Sequence, residues 1–223
     1  MAASTLLEIV CLIINTSLFS GYHLFLFWGI WKNPSKTAAG QNDIARRSWC
    51  RLIMEHGKDI LAVQTLRNSM MSSSLLATTA LTLSSIIAAF FIKEEGISRM
   101  EELSDDWSNL FSIEHKLFVM ILLFMLSFFA FMQSVRLVSH AGYMICVPPS
   151  GSFITAEKFV TPEYVANLLF RSSIYHTIGT RLFYAAFLTV LWLFGPISAS
   201  VALLLLLFCL YWADFNSIQD KVQ

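Results

Sequence analysis

Hydroxyl-bearing side chains recur at helical spacing between residues 67 and 85. One stripe along such a helix would contain Arg67, Ser74, Thr78, Thr82 and Ser85. Hydroxyls in this arrangement can solvate a permeant species, and an arginine at the mouth would attract anions. Small and hydroxylic residues are also enriched where membrane helices pack closely, so a packing seam is the alternative interpretation.

A second set of basic, amide and aromatic residues lies near the ends of three apolar segments. Its members are Arg67, Asn68, Gln133, Arg136, His140, Arg171, Tyr175, His176 and Arg181. We expect them at similar depth, where they could form a cationic cavity for an anion, a phosphate-bearing metabolite or an anionic lipid headgroup. The alternative is snorkelling of arginines toward headgroup phosphates, which we favour for Arg181 alone.

Enzyme and cofactor signatures are missing from the sequence. It contains no HExxH, no phosphate-binding glycine loop, no GxSxG and no CxxC. His140 and His176 could meet as haem or metal ligands, but two unsupported histidines are weak evidence, and we expect no cofactor, no metal and no catalytic residue. With a net charge of zero, nothing points to a nucleic-acid partner.

Two ionisable residues fall within the first apolar segment. Glu8 is about one turn from its outer end, so we expect it to be solvated. His23 lies nearer the middle, where we favour a hydrogen bond to another helix over a proton relay.

The elements that must position these residues are membrane-spanning helices. Hydrophobic residues make up 56% of the 223 and charged residues 13%, with a mean hydropathy of +0.63. Apolar stretches at about 5–31, 71–92, 113–135 and 182–212 each reach the ~20 residues needed to cross a bilayer. The sequence therefore predicts an all-α integral membrane four-helix bundle.

The charges between these stretches predict its orientation. Segments 32–70 and 136–181 are basic, whereas 93–112 is acidic. The positive-inside rule places both basic segments in the cytoplasm, the acidic loop outside, and both chain termini on the outer or lumenal side. The membrane itself is not specified, although the plasma membrane or an endomembrane is expected.

Helices 2 to 4 are expected to extend into the cytoplasm. Residues 44–66 contain no proline and should run as a helix into the second span, while Thr161, Pro162 and Glu163 should cap a helix that continues into the fourth. Pro196, after Gly195, should bend that last span.

Several motifs together resemble a known family. They are Val63-Gln64-Thr65-Leu66-Arg67-Asn68 before a serine-rich helix, then Arg171, Gly179-Thr180-Arg181-Leu182-Phe183-Tyr184 and Trp192-Leu193-Phe194-Gly195-Pro196. The chain resembles the membrane family called domain of unknown function 599, in its plant type. The resemblance implies a multi-pass membrane protein and carries no activity.

These patterns favour a homo-oligomeric channel or small transporter for an anion or anionic solute, with the hydroxyl stripe lining the path. Homo-oligomers are expected because four helices of this length rarely enclose a hydrated path alone. The alternative is a scaffold or anionic-lipid-binding protein with a cationic cytoplasmic cavity, whose partners would be membrane lipid or a small phosphate-bearing ligand.

Overall fold

The computed structural model describes residues 2–92, 113–147 and 160–215. The predicted acidic loop 93–112 and the residues Pro148 and Pro149 lie outside these ranges. Within the described ranges all regular structure is helical, as predicted. The elements are α1 (Ala2–Lys32), a 3-10 turn (Pro34–Lys36), α2 (Ala38–His56), α3 (Asp59–Ile92), α4 (Ile113–Met144), α5 (Pro162–Leu193) and α6 (Pro196–Phe215).

Four helices are long and apolar enough to cross a membrane. These spans are Leu6–Lys32 in α1, Asp59–Phe90 in α3, Ile113–Met144, which is α4, and Pro196–Phe215, which is α6. They confirm a membrane-embedded helical protein. The fourth differs from the predicted span at 182–212, because the apolar segment is divided between two helices.

The division at Gly195 is a break where a bend was predicted. Gly195 has φ of 129°, a backbone conformation that glycine adopts without a Cβ clash. Pro196 then begins α6 at the position where its missing N–H is not needed. The Ser198 hydroxyl lies 2.8 Å from the Leu191 carbonyl oxygen and 2.7 Å from that of Gly195, so it also satisfies the end of α5.

The chain divides into two compact units, each described on its own below. Unit 1 comprises Met1–Gln41, Leu83–Phe124 and Phe183–Gln223, and unit 2 comprises Asn42–Thr82 and Met125–Leu182. Unit 1 therefore contains α1 and α6, and unit 2 contains most of α2.

In unit 1, α1 and α6 run parallel. The Asn15 amide donates to the Ser200 hydroxyl at 3.1 Å, the Tyr22 hydroxyl donates to the Asp214 carboxylate at 2.6 Å, and the Phe25 and Phe215 rings lie 5.3 Å apart. The last residue of α6 thus lies near the Lys32 end of α1.

The end of α5 runs the opposite way along the start of α4. Phe183 packs edge-on against Phe124 at 5.5 Å, and Trp192 lies beneath the Lys116 ammonium at 4.8 Å. Because Lys116 also contacts Glu8, α5 finishes at the end of unit 1 where α1 starts. The chain therefore reverses at Gly195, and the end of α6 lies opposite the start of α1. The side of a membrane that each chain terminus faces stays a prediction.

The predictions for Glu8 and His23 are wrong. Glu8 is fully buried and pairs with the equally buried Lys116, with 3.1 Å between Oε1 and Nζ. His23 bonds within its own helix through Nδ1, 2.7 Å from the Phe19 carbonyl oxygen. Among the residues described, its Nε2 has no hydrogen-bond partner.

The predicted helix across residues 44–66 is also interrupted. α2 ends at His56, and Gly57 takes φ of 60°, which reverses the chain while Lys58 N–H bonds back to the Ile53 carbonyl at 3.3 Å. At the start of α5 the predicted cap is confirmed, since the Tyr164 amide donates to the Thr161 hydroxyl at 3.1 Å and Pro162 is the first helical residue.

Unit 2 has a hydrophobic core formed by α2, α3, α4 and α5. Cys50, Ile53, Leu66, Val138 and Val165 are each at most 4% exposed. This core holds the four helices together around the cavity described below.

Candidate functional site

A cavity of about 550 Å³ lies within unit 2, among α2, α3, α4 and α5. This volume is in the range of small-molecule sites. Ten of its lining residues carry a polar side-chain atom: Asn42, Arg46, Trp49, Thr65, Ser69, Ser72, Ser134, Ser172, Ser173 and His176. The others are Ala45, Leu66, Val138 and Leu169. Among the described residues, this lining contains no carboxylate and one permanently charged side chain, a cation.

That charge belongs to Arg46 of α2. Its Nη1 donates to the Ser173 hydroxyl at 3.1 Å, while the Ser173 hydroxyl itself donates to the Phe170 carbonyl at 2.8 Å. Burial lowers the pKa of Arg46, an effect that nearby Asp43 opposes. Arginine nevertheless stays protonated. Burial leaves this guanidinium with less water around it, and a bound anion would stabilise it.

The neighbouring arginines of α2 are already paired. Arg47 contacts the Asp43 carboxylate at 3.0 Å and the Asn167 side-chain oxygen at 2.9 Å. Arg51 bonds Glu163 at 2.9 Å, and this hydrogen bond lowers the pKa of the Glu163 carboxyl. These contacts attach α2 to α5 and position Arg46 at the cavity.

The serines of the lining divide into two groups. The Ser172 hydroxyl donates to the Ser134 carbonyl at 3.0 Å, and the two hydroxyl oxygens lie 2.9 Å apart, so this pair joins α4 to α5. Ser69 and Ser72, by contrast, make no side-chain hydrogen bond within the described part of the chain and can donate to a ligand. A phosphate or carboxylate accepts several such donors.

The His176 ring is positioned by contacts with Ser73 and Phe131. Its Nδ1 lies 2.9 Å from the hydroxyl of Ser73, which is buried, and its ring packs against Phe131 at 5.5 Å between centroids. When Ser73 donates to Nδ1, the proton of the neutral imidazole resides on Nε2, which becomes a donor. In that tautomer, Nε2 can donate a hydrogen bond to an anion.

Of the predicted cationic set, the structure places His176 at this cavity. The other members do not line it. Arg181 is half-buried, and the rest are exposed: Arg67, Asn68, Gln133, Arg136, His140, Arg171 and Tyr175. Side chains near the end of a helix share a depth but point in different directions around its axis. A similar depth along the helices therefore does not place these side chains in one cavity.

The hydroxyl stripe of α3 faces away from its own chain. Thr78, Thr82 and Ser85 are exposed and Ser74 is half-buried, whereas the buried face carries Ser73, Ala77, Ala80 and Ser84. The Thr78 and Thr82 hydroxyls donate to carbonyls one turn earlier, each at 2.9 Å.

Sequence reasoning missed the α2 face of the cavity. Asn42, Ala45, Arg46 and Trp49 follow the offsets of 3, 4 and 7 that define one helix face. Reading α2 for this pattern would have separated Arg46 from Arg47 and Arg51. Metal ligands do not gather here: in ranges 2–92, 113–147 and 160–215, no three His, Cys, Asp or Glu could hold an ion together.

Comparison with known families agrees with the motifs. The model of the family described as "Protein of unknown function, DUF599" matches residues 10–219. The chain belongs to the DUF599 family. The comparisons with curated proteins and with solved structures gave no match. In this DUF599 chain, the motif residue Gly179 lies against Phe131, and its carbonyl accepts a hydrogen bond from Ser127 at 2.8 Å.

Proposed function

We propose that this membrane protein binds an anionic solute through its phosphate or carboxylate group in the cavity of unit 2, as the substrate site of a small transporter. Arg46 supports the proposal most strongly, because its guanidinium is partly buried and the described lining residues include no carboxylate. Ser69, Ser72 and His176 supply neutral donors around it. An anion would replace the water that burial removes from the guanidinium.

The charge of the site favours a ligand with one anionic group over a polyanion. One permanent cation neutralises about one negative charge, and further charges would have to rely on neutral hydroxyls. Trp49 adds a flat apolar surface, so the organic part of a metabolite could lie against its ring.

Flux into proteoliposomes tests this function. The full chain is reconstituted and uptake of labelled inorganic phosphate is compared for the native protein, Arg46→Gln and the exposed control Arg67→Gln. We expect uptake above empty vesicles that Arg46→Gln abolishes and Arg67→Gln retains. Uptake equal to that of empty vesicles would overturn the transport role.

A lipid headgroup presents the same phosphate chemistry, and a second arm separates the two sources. Vesicles containing an anionic phospholipid but no soluble phosphate are used to measure lipid retained by the purified protein. Retention that depends on Arg46, without uptake of phosphate, would identify a headgroup-binding module.

An oligomeric channel is the second candidate, favoured by the outward-facing stripe of α3. Copies of the chain arranged with Thr78 and Thr82 toward a common axis would surround a path with hydroxyls. This predicts that Thr78→Leu lowers conductance in a planar bilayer while Arg46→Gln leaves it unchanged. The reverse result would favour the transporter.

A further inference from the structure

A second cavity, of about 340 Å³, lies within unit 1 and has a different character. Its walls come from α1, α4, α5 and α6, and they include Leu12, Phe19, Leu123, Leu188, Ala199 and Leu203. The α1, α4 and α6 residues of the wall belong to helices that are long and apolar enough to cross a membrane. It is more than twice the ~150 Å³ of an apolar protein cavity that holds a benzene molecule.

Three polar side chains at or beside this wall form hydrogen bonds within unit 1. The Asn15 amide donates to Ser200, the Ser200 hydroxyl donates to the Pro196 carbonyl at 2.9 Å, and Thr189 donates to the Ala185 carbonyl at 2.9 Å. They therefore present mainly carbon to the interior. Water would find few partners in such a space.

At the end of unit 1 where α1 starts, the cavity wall lies beside a buried ion pair. Trp192 forms part of the wall, and the Lys116 ammonium lies 4.8 Å above its ring while contacting Glu8 at 3.1 Å. Both charged side chains are at most 2% exposed, so neither is available to a headgroup. The occupant must be apolar along its length within the cavity.

We infer that the cavity of unit 1 binds the hydrocarbon chain of a membrane lipid. An acyl chain is the apolar molecule that surrounds membrane-spanning helices. It fits walls of leucine, phenylalanine and methyl groups and leaves the ion pair undisturbed. This site is separate from the anion site in chemistry, and its test does not depend on that proposal.

Photo-crosslinking tests the inference. The full chain is reconstituted in phosphatidylcholine vesicles that contain a phosphatidylcholine with a diazirine on its acyl chain, and labelled residues are mapped by mass spectrometry. We expect label on cavity residues such as Leu12 and Ala199. Ala199→Phe, which fills the space, should lower that label about tenfold, corresponding to about 1.4 kcal/mol of binding.

Val201→Phe is the matched control, because Val201 belongs to the same helix but is 54% exposed and outside the cavity wall. It should leave the label unchanged. Leu188→Trp provides a second filling variant from α5 in case Ala199→Phe does not fold. Label spread evenly over exposed apolar residues, or unchanged in both filling variants, would overturn the inference. The absence of lipid label on the cavity residues, in a protein whose copies associate through this face, would overturn it as well.

Discussion

Glu8 and Lys116 form an ion pair of 3.1 Å from which solvent is almost completely excluded. The carboxylate of Glu8 accepts no well-aligned hydrogen bond among the described residues, so the ammonium compensates its charge. The pair joins the start of α1 to the start of α4, and Trp192 extends this contact to the end of α5. Three helices are thus fixed at one end of unit 1.

Removing one partner of this pair should destabilise the protein strongly. Lys116→Gln leaves Glu8 as an uncompensated buried charge, for which a loss of about 3–5 kcal/mol is typical. Glu8→Gln combined with Lys116→Gln should recover a large part of that loss. Thermal unfolding in detergent measures both. Equal stability of Lys116→Gln and the native protein would contradict a charge-compensating role.

Gly179 should be sensitive to a single added methyl group. A Cβ at this position would lie 2.8 Å from the Phe131 ring, which is fully buried and has little space to move. Gly179→Ala should therefore cost about 1–3 kcal/mol in unfolding free energy. Gly21→Ala is the control, since nothing lies within 4 Å of a Cβ there, and it should be neutral or slightly stabilising. Similar melting temperatures for the two variants would refute the packing argument.

Cys50 should be almost inert toward water-soluble maleimides. Burial raises the pKa of its thiol to about 11, and its side chain is fully enclosed in the core of unit 2. The reactive thiolate is therefore scarce at neutral pH, and the labelling rate should still increase at pH values where an ordinary thiol is fully ionised. Ser48→Cys, exposed on the same helix, gives the comparison rate. Equal rates at neutral pH would show that α2 does not pack as described.

The reversal at Gly195 predicts the sidedness of α6. Single cysteines are introduced in a cysteine-free background at four exposed positions near the helix ends: Leu6, Lys32, Ile197 and Ala213. Lys32→Cys and Ala213→Cys should react with an impermeant reagent from one side, and Leu6→Cys and Ile197→Cys from the other. Reaction of Leu6→Cys and Ala213→Cys from the same side would contradict the reversal and support a single span that bends at Gly195.

Most of the fold was predictable because hydropathy reports membrane solvation directly. The all-α class, the spanning capacity of the helices and the cap at Thr161 follow from segment length and local chemistry. The break at Gly195 was harder, because a glycine and proline pair permits either a bend or a reversal. Contacts distant in sequence, such as Asn15 with Ser200, decide between them.

The candidate site was predictable only in its chemistry. A polar, cationic cavity in the basic segments was expected, and His176 was identified as a member. Its cation was not, since Arg46, Arg47 and Arg51 look alike in sequence. They differ in their partners on α5. Arg51 bonds to Glu163 and Arg47 bonds to Asn167, whereas Arg46 donates to the Ser173 hydroxyl.

Phosphate titration by calorimetry tests directly whether the cavity of unit 2 binds an anion through Arg46. Purified full chain in detergent is titrated with inorganic phosphate, alongside Arg46→Gln and the control Arg67→Gln. We expect saturable binding whose affinity Arg46→Gln lowers at least about tenfold, which corresponds to a loss of about 1.4 kcal/mol, and which Arg67→Gln leaves unchanged. No saturable heat with the native protein, or equal affinity in Arg46→Gln, would contradict it.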